Sequence, residues 1–269
     1  MLRHRILTAL LLGPLVLWVV LWAPPPITTV VIALAILIGA WEWSQFCGLR
    51  VVLTRIRYVL LIAVTMYLAW RFSADINGFK TILVLALIWW LVALLWLAFA
   101  PQRGQVWAAT LAGIPVLVPT WIALSHLHAN AAQGRGPELT MFLLLLVFAA
   151  DIGAYFAGRA FGKLKLAPKV SPGKTWEGVL GGLAGASLIA IAGAFWFAFE
   201  TTAFVGLCTA VAAVSIVGDL TESMFKRHVG LKDSGRILPG HGGILDRIDS
   251  ITAAAPVFAL GLVWLGALQ

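Results

Sequence analysis

Four acidic residues near the carboxyl end of the chain form two pairs with the same spacing. Asp219 and Glu222 are three residues apart, and so are Asp246 and Asp249. Side chains three residues apart share one face of a helix, so each pair can present two carboxylates together. Four carboxylates in a medium of low dielectric repel one another strongly unless cations compensate them. Oxygen ligands of this kind suit Mg²⁺ or Ca²⁺, and the spacing therefore indicates a candidate metal site.

Ion pairs are the alternative explanation for these acids. Lys232 and Arg247 are close to them in sequence and could tie the charged segment to its neighbours without any metal ion. Asp151 stands apart from both pairs, about two turns inside another apolar stretch if that stretch is helical. Ionisable side chains at membrane depth are functional candidates, so Asp151 is a further candidate for holding or orienting a cation.

Two basic segments accompany the acids. Segment 226–249 contains the second acidic pair, and three of its glycines flank His241. Segment 159–177 contains the sequence SPGKT, which we expect to be a flexible turn just before a helix. Backbone N–H groups at a helix start, with a lysine nearby, bind anions, although SPGKT lacks the spacing of a P-loop. Cations beside a carboxylate–metal cluster suit a polyphosphate.

The elements that must position these residues are apolar. Of 269 residues, 61% are hydrophobic and 11% are charged, whereas a soluble domain carries about 25% charged residues. A membrane-spanning helix needs about 20 apolar residues, so the composition predicts an all-α, polytopic membrane helix bundle. Nine spans are expected, near residues 5–23, 27–47, 57–74, 79–100, 105–127, 138–158, 178–199, 203–225 and 249–268.

The loops between these spans predict an orientation. If the N-terminus is cytoplasmic and nine spans alternate, only Arg71, Lys80 and Arg135 of the 19 Lys and Arg residues fall on the outer side. This asymmetry fits the positive-inside rule. The net charge of +8 then reports orientation in a membrane, and we do not expect a nucleic-acid partner.

The same analysis divides the chain into two parts. Residues 1–130 hold about five of the expected spans. Residues 131–269 hold the remaining spans and both basic segments, 159–177 and 226–249. The sequence therefore places the catalytic region in the second part.

The second part also resembles a known family. Residues 223–249, SMFKRHVGLKDSGRILPGHGGILDRID, resemble the signature segment of phosphatidate cytidylyltransferases, also called CDP-diacylglycerol synthases. ADIGAYFAGRAFGK (150–163) and SPGKTWEG (171–178) are similar to other segments of that family, so the resemblance covers residues 138–269 well. One departure is Gly173, where the family pattern is expected to carry a lysine or another polar residue.

The resemblance implies a reaction and a place for it. Phosphatidate cytidylyltransferases are polytopic membrane enzymes that use Mg²⁺ to convert CTP and phosphatidic acid to CDP-diacylglycerol and pyrophosphate. We accordingly expect a multi-pass protein of the inner (plasma) membrane whose active site faces the cytoplasm, where CTP and the membrane lipid can meet.

Residue roles follow from the resemblance together with the charge pattern. The cation is expected to bind carboxylates, first those of Asp219 and Asp246, with further ligands in Glu222, Asp249 and Asp151. The phosphates of CTP and phosphatidate are expected to bind cationic side chains, namely Lys226, Arg227, Lys232, Arg236 and Arg247. The nucleotide is expected to contact Ser171, Lys174 and Thr175, and His241 is a candidate for orienting a phosphate or protonating a product.

Three rival functions stay open at this point. A secondary transporter of organic anions would use charge near the membrane midplane, whereas the acids here gather on one side. A CTP-dependent lipid kinase would transfer the γ-phosphate and release CDP. A non-enzymatic scaffold is hard to reconcile with so dense a charged segment. The sequence also leaves open the acyl-chain preference, the choice between CTP and dCTP, the participation of K⁺ and the oligomeric state, including a homodimer.

Overall fold

Nine α-helices make up most of the residues that the structure describes. The computed structural model describes residues 2–101 and 106–268, which also contain a short 3-10 turn, Ala132–Gly134, and two short strands. The elements are α1 (Leu2–Leu21), α2 (Pro25–Trp43), α3 (Val52–Phe72), α4 (Ile76–Phe99), α5 (Val106–Asn130), α6 (Gly136–Phe161), β1 (Lys165–Ala167), β2 (Ser171–Thr175), α7 (Trp176–Phe197), α8 (Thr201–His228) and α9 (Leu245–Trp264).

The helices form a polytopic membrane bundle. Eight of those in the described residues, α2 to α9, are long and apolar enough to cross a membrane, and α1 contributes a shorter apolar stretch, Leu10–Leu21. The predicted all-α bundle is therefore confirmed. The cytoplasmic position of the N-terminus stays a prediction, and Arg103, which that argument assigns to the cytoplasmic side, lies outside the described residues.

Helices α5 and α9 occupy the middle of the bundle, as shown by burial of two-thirds of the residues in an apolar 18-residue stretch of each. By contrast, only 17% of the corresponding stretch of α3 is buried. Large apolar side chains such as Leu180, Leu188 and Phe195 are exposed on α7, as expected for a helix whose outer face meets lipid. The helix that carries Asp246 and Asp249 is thus held on several sides by its neighbours.

Glycines bring α6 and α7 into close contact. A Cβ added at Gly182 would lie 2.8 Å from the carbonyl oxygen of Ala150, and one added at Gly185 would lie 2.8 Å from that of Ala149. A Cβ at Gly181 would overlap the Cβ of Ala157. Small residues permit this approach of two helices in lipid, and the contact fixes the position of α6 relative to α7.

The hairpin of β1 and β2 corrects one sequence interpretation. SPGKT forms strand β2 and pairs antiparallel with β1, so the prediction of a flexible turn there was wrong. The hairpin is closed at its base because Trp176 N–H donates to the Leu164 carbonyl oxygen (2.9 Å) and Leu164 N–H donates to the Glu177 carboxylate (3.1 Å). These bonds set the hairpin directly on the first turn of α7.

The ends of α8 and α9 also differ from the expected spans. Helix α8 continues to His228 rather than ending near 225, and α9 begins at Leu245 rather than near 249. Asp246 and Asp249 consequently both lie inside α9, as Asp219 and Glu222 lie inside α8. The two helices approach closely at Gly218, where an added Cβ would lie 2.6 Å from the carbonyl oxygen of Asp249.

Candidate active site

A buried lysine joins the two acidic pairs. Nζ of Lys226 lies 2.9 Å from Oε1 of Glu222 and 2.8 Å from Oδ1 of Asp246. The exposed fractions of the Lys226 and Glu222 side chains are 9% and 3%. Glu222 and Lys226 are four residues apart on α8, a spacing at which helical side chains meet, whereas Asp246 comes from α9. We call these three residues the closed cluster.

The loop before α9 folds around Asp246. Ser234 N–H donates to both carboxylate oxygens, at 3.1 Å and 2.9 Å, and Gly243 N–H donates to Oδ2 at 2.8 Å. Gly242 has φ of +85°, a conformation that glycine adopts without a steric penalty. With Lys226 as a further donor, the Asp246 carboxylate is fully engaged by the protein.

A second ion pair lies nearer to the surface. Nζ of Lys174, on β2, lies 2.6 Å from Oδ2 of Asp219 on α8, and their side chains are 28% and 27% exposed. Asp151, on α6, is exposed and interacts electrostatically with both Asp219 and Lys174. We call Lys174, Asp219 and Asp151 the open cluster. The hairpin thus brings the first basic segment to the first acidic pair.

Asp249 connects the two clusters. Its carboxylate interacts electrostatically with Asp219, Lys226 and Lys174, and it also interacts electrostatically with Glu222. Oδ1 of Asp249 accepts a hydrogen bond of 2.7 Å from the backbone N–H of the next residue, Ser250. All five carboxylates assigned to a cation from the sequence therefore belong to one electrostatically connected group.

A basic cleft lies against the loop that binds Asp246. Its volume is about 750 Å³ and its wall includes three cations, Lys232, Arg236 and Arg247, against one acid, Asp233. Nε and Nη2 of Arg247 donate to the carbonyl oxygen of His241 at 3.2 Å and 2.8 Å, which holds the guanidinium beside the cleft. The size and charge of the cleft suit a ligand with several phosphates.

The remaining predicted site residues lie around this group. Arg227 donates to the carbonyl oxygens of Val170 (3.4 Å) and Leu231 (3.2 Å) and so ties the hairpin to the end of α8. Thr175 is buried, and its hydroxyl accepts from Gly178 N–H at 3.1 Å as the N-cap of α7. Ser171 is partly buried at the start of β2.

Sequence reasoning missed Glu42 on α2. Its side chain is 1% exposed, and its carboxylate accepts from Ile244 N–H (3.2 Å), Leu245 N–H (2.8 Å) and the Ser234 hydroxyl (3.3 Å). The only signal in the sequence was an acid at the end of an apolar stretch. The structure therefore adds a residue from the N-terminal part of the chain to the site.

The donor atoms fit a hard divalent cation. Within residues 2–101 and 106–268, no three His, Cys, Asp or Glu side chains are arranged around one point as metal ligands, and ammonium groups contact the carboxylates instead. Oε1 of the buried Glu222 carboxylate contacts the Lys226 ammonium at 2.9 Å, whereas Oε2 is buried without a hydrogen-bond partner among the described residues. The candidate donors are carboxylate oxygens throughout, which are preferred ligands of Mg²⁺.

Comparisons with known proteins agree with the resemblance of residues 223–249 to the signature segment. A family model described as the cytidylyltransferase family matches residues 3–265. A relative from Pseudomonas aeruginosa named phosphatidate cytidylyltransferase is 43% identical, over 98% of this chain and 97% of its own length. Relatives of the same name from Haemophilus influenzae and Brucella suis are 38% and 36% identical, each over 96% of this chain and over 98% and 92% of their own lengths.

Proposed function

This chain belongs to the cytidylyltransferase family, and we propose that it transfers the cytidylyl group of CTP to phosphatidic acid, releasing pyrophosphate. The observation that carries the proposal is the meeting of both basic segments with both acidic pairs, through Lys174 with Asp219 and through Lys226 with Glu222 and Asp246. The names of relatives aligned over nearly the whole chain support this substrate pair.

In this reaction a phosphate oxygen of phosphatidic acid attacks the α-phosphorus of CTP. A new P–O bond forms there, the bond to the β-phosphate oxygen breaks, and pyrophosphate leaves with the electron pair. The attacking oxygen is already anionic, so no general base is required. The protein must instead position two anions and neutralise their charge.

Cationic side chains supply that neutralisation. Lys232, Arg236 and Arg247 line the basic cleft and would bind the phosphates of CTP. Lys174, on β2 of the hairpin, pairs with Asp219 on α8 and would contact a phosphate at the reacting end. Arg227 holds the hairpin against α8, so we assign it to positioning as much as to binding.

Mg²⁺ would be held by the carboxylates that the protein leaves most accessible. Asp151 is exposed and Asp219 is partly exposed, and Asp249 and Glu222 belong to the same connected group, whereas the oxygens of Asp246 already accept several hydrogen bonds. We therefore give Asp219 the leading ligand role and Asp246 a structural one. When bound, such a cation neutralises phosphate charge.

We place the reaction at the cytoplasmic face of the inner membrane. The asymmetry of Lys and Arg residues favours that side, CTP is a cytosolic nucleotide, and phosphatidic acid presents its phosphate at the membrane surface. The acids and the basic cleft lie at the ends of α8 and α9 that the charged loop joins, where both substrates can reach them.

A labelled-nucleotide assay tests the proposal. Purified protein in detergent is incubated with phosphatidic acid and CTP labelled at the α-phosphorus or at the γ-phosphorus. We expect lipid-soluble label from the α-labelled CTP only, one pyrophosphate per lipid product, and loss of product with EDTA. Label from the γ-phosphorus in lipid would establish a lipid kinase instead, and unlabelled lipid with both nucleotides would refute the proposed transfer.

A further inference from the structure

Helix α9 begins without a cap from its own sequence. Its N-cap residue, Ile244, makes no side-chain cap hydrogen bond, yet the first N–H groups of a helix need acceptors. Glu42 supplies them from α2, since its two carboxylate oxygens accept from Ile244 N–H and Leu245 N–H. A negative charge at a helix start is also favoured by the helix dipole. The cap thus comes from a residue about 200 positions away in sequence.

Glu42 and Asp246 share the same short loop. Ser234 donates its backbone N–H to Asp246 and its hydroxyl to Glu42, while Gly243 N–H binds Asp246 and the next N–H, of Ile244, binds Glu42. Both carboxylates therefore fix the backbone on either side of the turn. Any displacement of Glu42 would be transmitted to the residue that holds Lys226.

The loop is built to admit this carboxylate. A Cβ added at Gly243 would lie 2.5 Å from Oε2 of Glu42 and still closer to the Ser234 hydroxyl, and a Cβ at Gly235 would overlap Oε1 of Glu42. Glycine at these two positions lets the loop backbone reach the side chain. A side chain at either glycine would overlap the Glu42 carboxylate.

Helix α2 is itself anchored at this end. Nε1 of Trp43 donates to the Ala109 carbonyl oxygen at 2.8 Å, and its ring packs 5.3 Å from that of Phe225 on α8. Nε2 of Gln45 adds a bond of 2.8 Å to the Ser234 carbonyl oxygen. The end of α2 is therefore a fixed support against which the loop and α9 are set.

We propose that Glu42 is a positioning residue for cytidylyl transfer: its buried carboxylate sets the start of α9 and, through Ser234 and Gly243, holds Asp246 and Lys226 in register with the rest of the site. Both Glu42 oxygens are engaged by protein donors and the side chain is buried, so Glu42 does not contact substrate. The inference builds on the proposed function and gives the N-terminal part of the chain a role in it.

The test compares two carboxylate caps. Glu200 caps α8 at its other end by accepting from Thr202 N–H (2.9 Å) and Ala203 N–H (2.6 Å), so Glu200→Gln is a matched control for the loss of a cap. Glu42→Gln should lower kcat by about 10- to 100-fold, the range seen when supporting residues of a site are changed, with the KM for CTP within about threefold. Glu200→Gln should leave both parameters near the wild-type values.

Hydrogen–deuterium exchange provides a readout that does not depend on turnover. Peptides covering residues 232–246 should exchange at least about tenfold faster in Glu42→Gln than in the wild type, because an opened loop loses its protection, and should not change in Glu200→Gln. Ser234→Ala, which removes one bond to Glu42, should give a smaller change in the same direction and covers the case in which Glu42→Gln does not fold.

Two results would overturn the inference. Unchanged exchange over residues 232–246 in both Glu42→Gln and Ser234→Ala would show that Glu42 does not hold the loop. An unchanged kcat in a Glu42→Gln protein with faster exchange would show that holding the loop does not matter for catalysis. Failure of the wild-type protein to label lipid, with the exchange pattern as expected, would instead refute the proposed function while the tether stands.

Discussion

The closed and open clusters solve the same electrostatic problem in different ways. In both, a lysine contacts a carboxylate on α8, but Lys226 is 9% exposed and also contacts Asp246 on α9, whereas Lys174 is 28% exposed and, within the described residues, contacts Asp219 alone. Removing one partner of a buried ion pair costs far more folding stability than removing one partner of a solvated pair. The difference suggests that the closed cluster maintains the architecture of the site and that the open cluster exchanges partners during the reaction.

Removing each lysine is the strongest way to break this comparison. Lys226→Met leaves Glu222 and Asp246 buried without a cation and should lower the free energy of unfolding by about 3–5 kcal/mol. Lys174→Met, the matched change in the open cluster, should cost at most about 1 kcal/mol. Thermal unfolding in detergent measures both, and equal losses for the two variants would contradict the assigned division.

Separating α6 from α7 should disturb the open cluster selectively. Gly181→Val forces side-chain atoms into the contact with Ala157 and should destabilise the protein by about 1–3 kcal/mol, while moving Asp151 away from Lys174. Gly206→Val is the control, because a Cβ there meets nothing within 4 Å. Unfolding curves and activity of the two variants check this, and a Gly181→Val protein with wild-type stability and activity would count against the packing argument.

Kinetics should sharpen the role of the hairpin. Lys174→Ala should raise the KM for CTP about tenfold, equivalent to about 1.4 kcal/mol, and change the KM for phosphatidic acid by less than about threefold. Initial rates with each substrate varied in turn provide the measurement. An effect confined to the KM for the lipid would show that Lys174 serves phosphatidic acid and not the nucleotide.

The smallest effect is expected for an ion pair outside both clusters. Glu138 pairs with Arg135 at the start of α6, with 47% of its side chain exposed, and such surface pairs contribute about 0–1 kcal/mol. Glu138→Gln should therefore leave activity unchanged and alter stability by less than about 1 kcal/mol. A large loss of activity in this variant would show that acids outside the two clusters matter for the reaction as much as those inside them.

Some of this arrangement follows from the sequence, and the reasons are local. The apolar runs are long enough to predict each helix, and three-residue spacing places Asp219 with Glu222 on one helical face. The i to i+4 spacing of Glu222 and Lys226 is likewise a local rule. SPGKT was misjudged because pairing with β1, a tertiary contact, overrides the turn preference of Pro and Gly.

Other features depend on contacts that no local pattern encodes. The bond between Glu42 and Leu245 joins residues 203 positions apart, and the ion pair of Lys174 with Asp219 joins the hairpin to a different helix. Nor does spacing reveal that the Asp246 carboxylate accepts hydrogen bonds from its loop, while the Asp219 side chain stays 27% exposed. These contacts decide which acid serves structure and which is accessible to a ligand.

The most direct test of the central claim is the transfer of α-labelled CTP into lipid by purified wild-type, Asp219→Asn and Glu138→Gln proteins, assayed side by side. If the open cluster carries the chemistry, Asp219→Asn should lose at least about 100-fold in rate, remain folded, and contrast with a fully active Glu138→Gln. Near-wild-type labelling of lipid by folded Asp219→Asn would contradict the account.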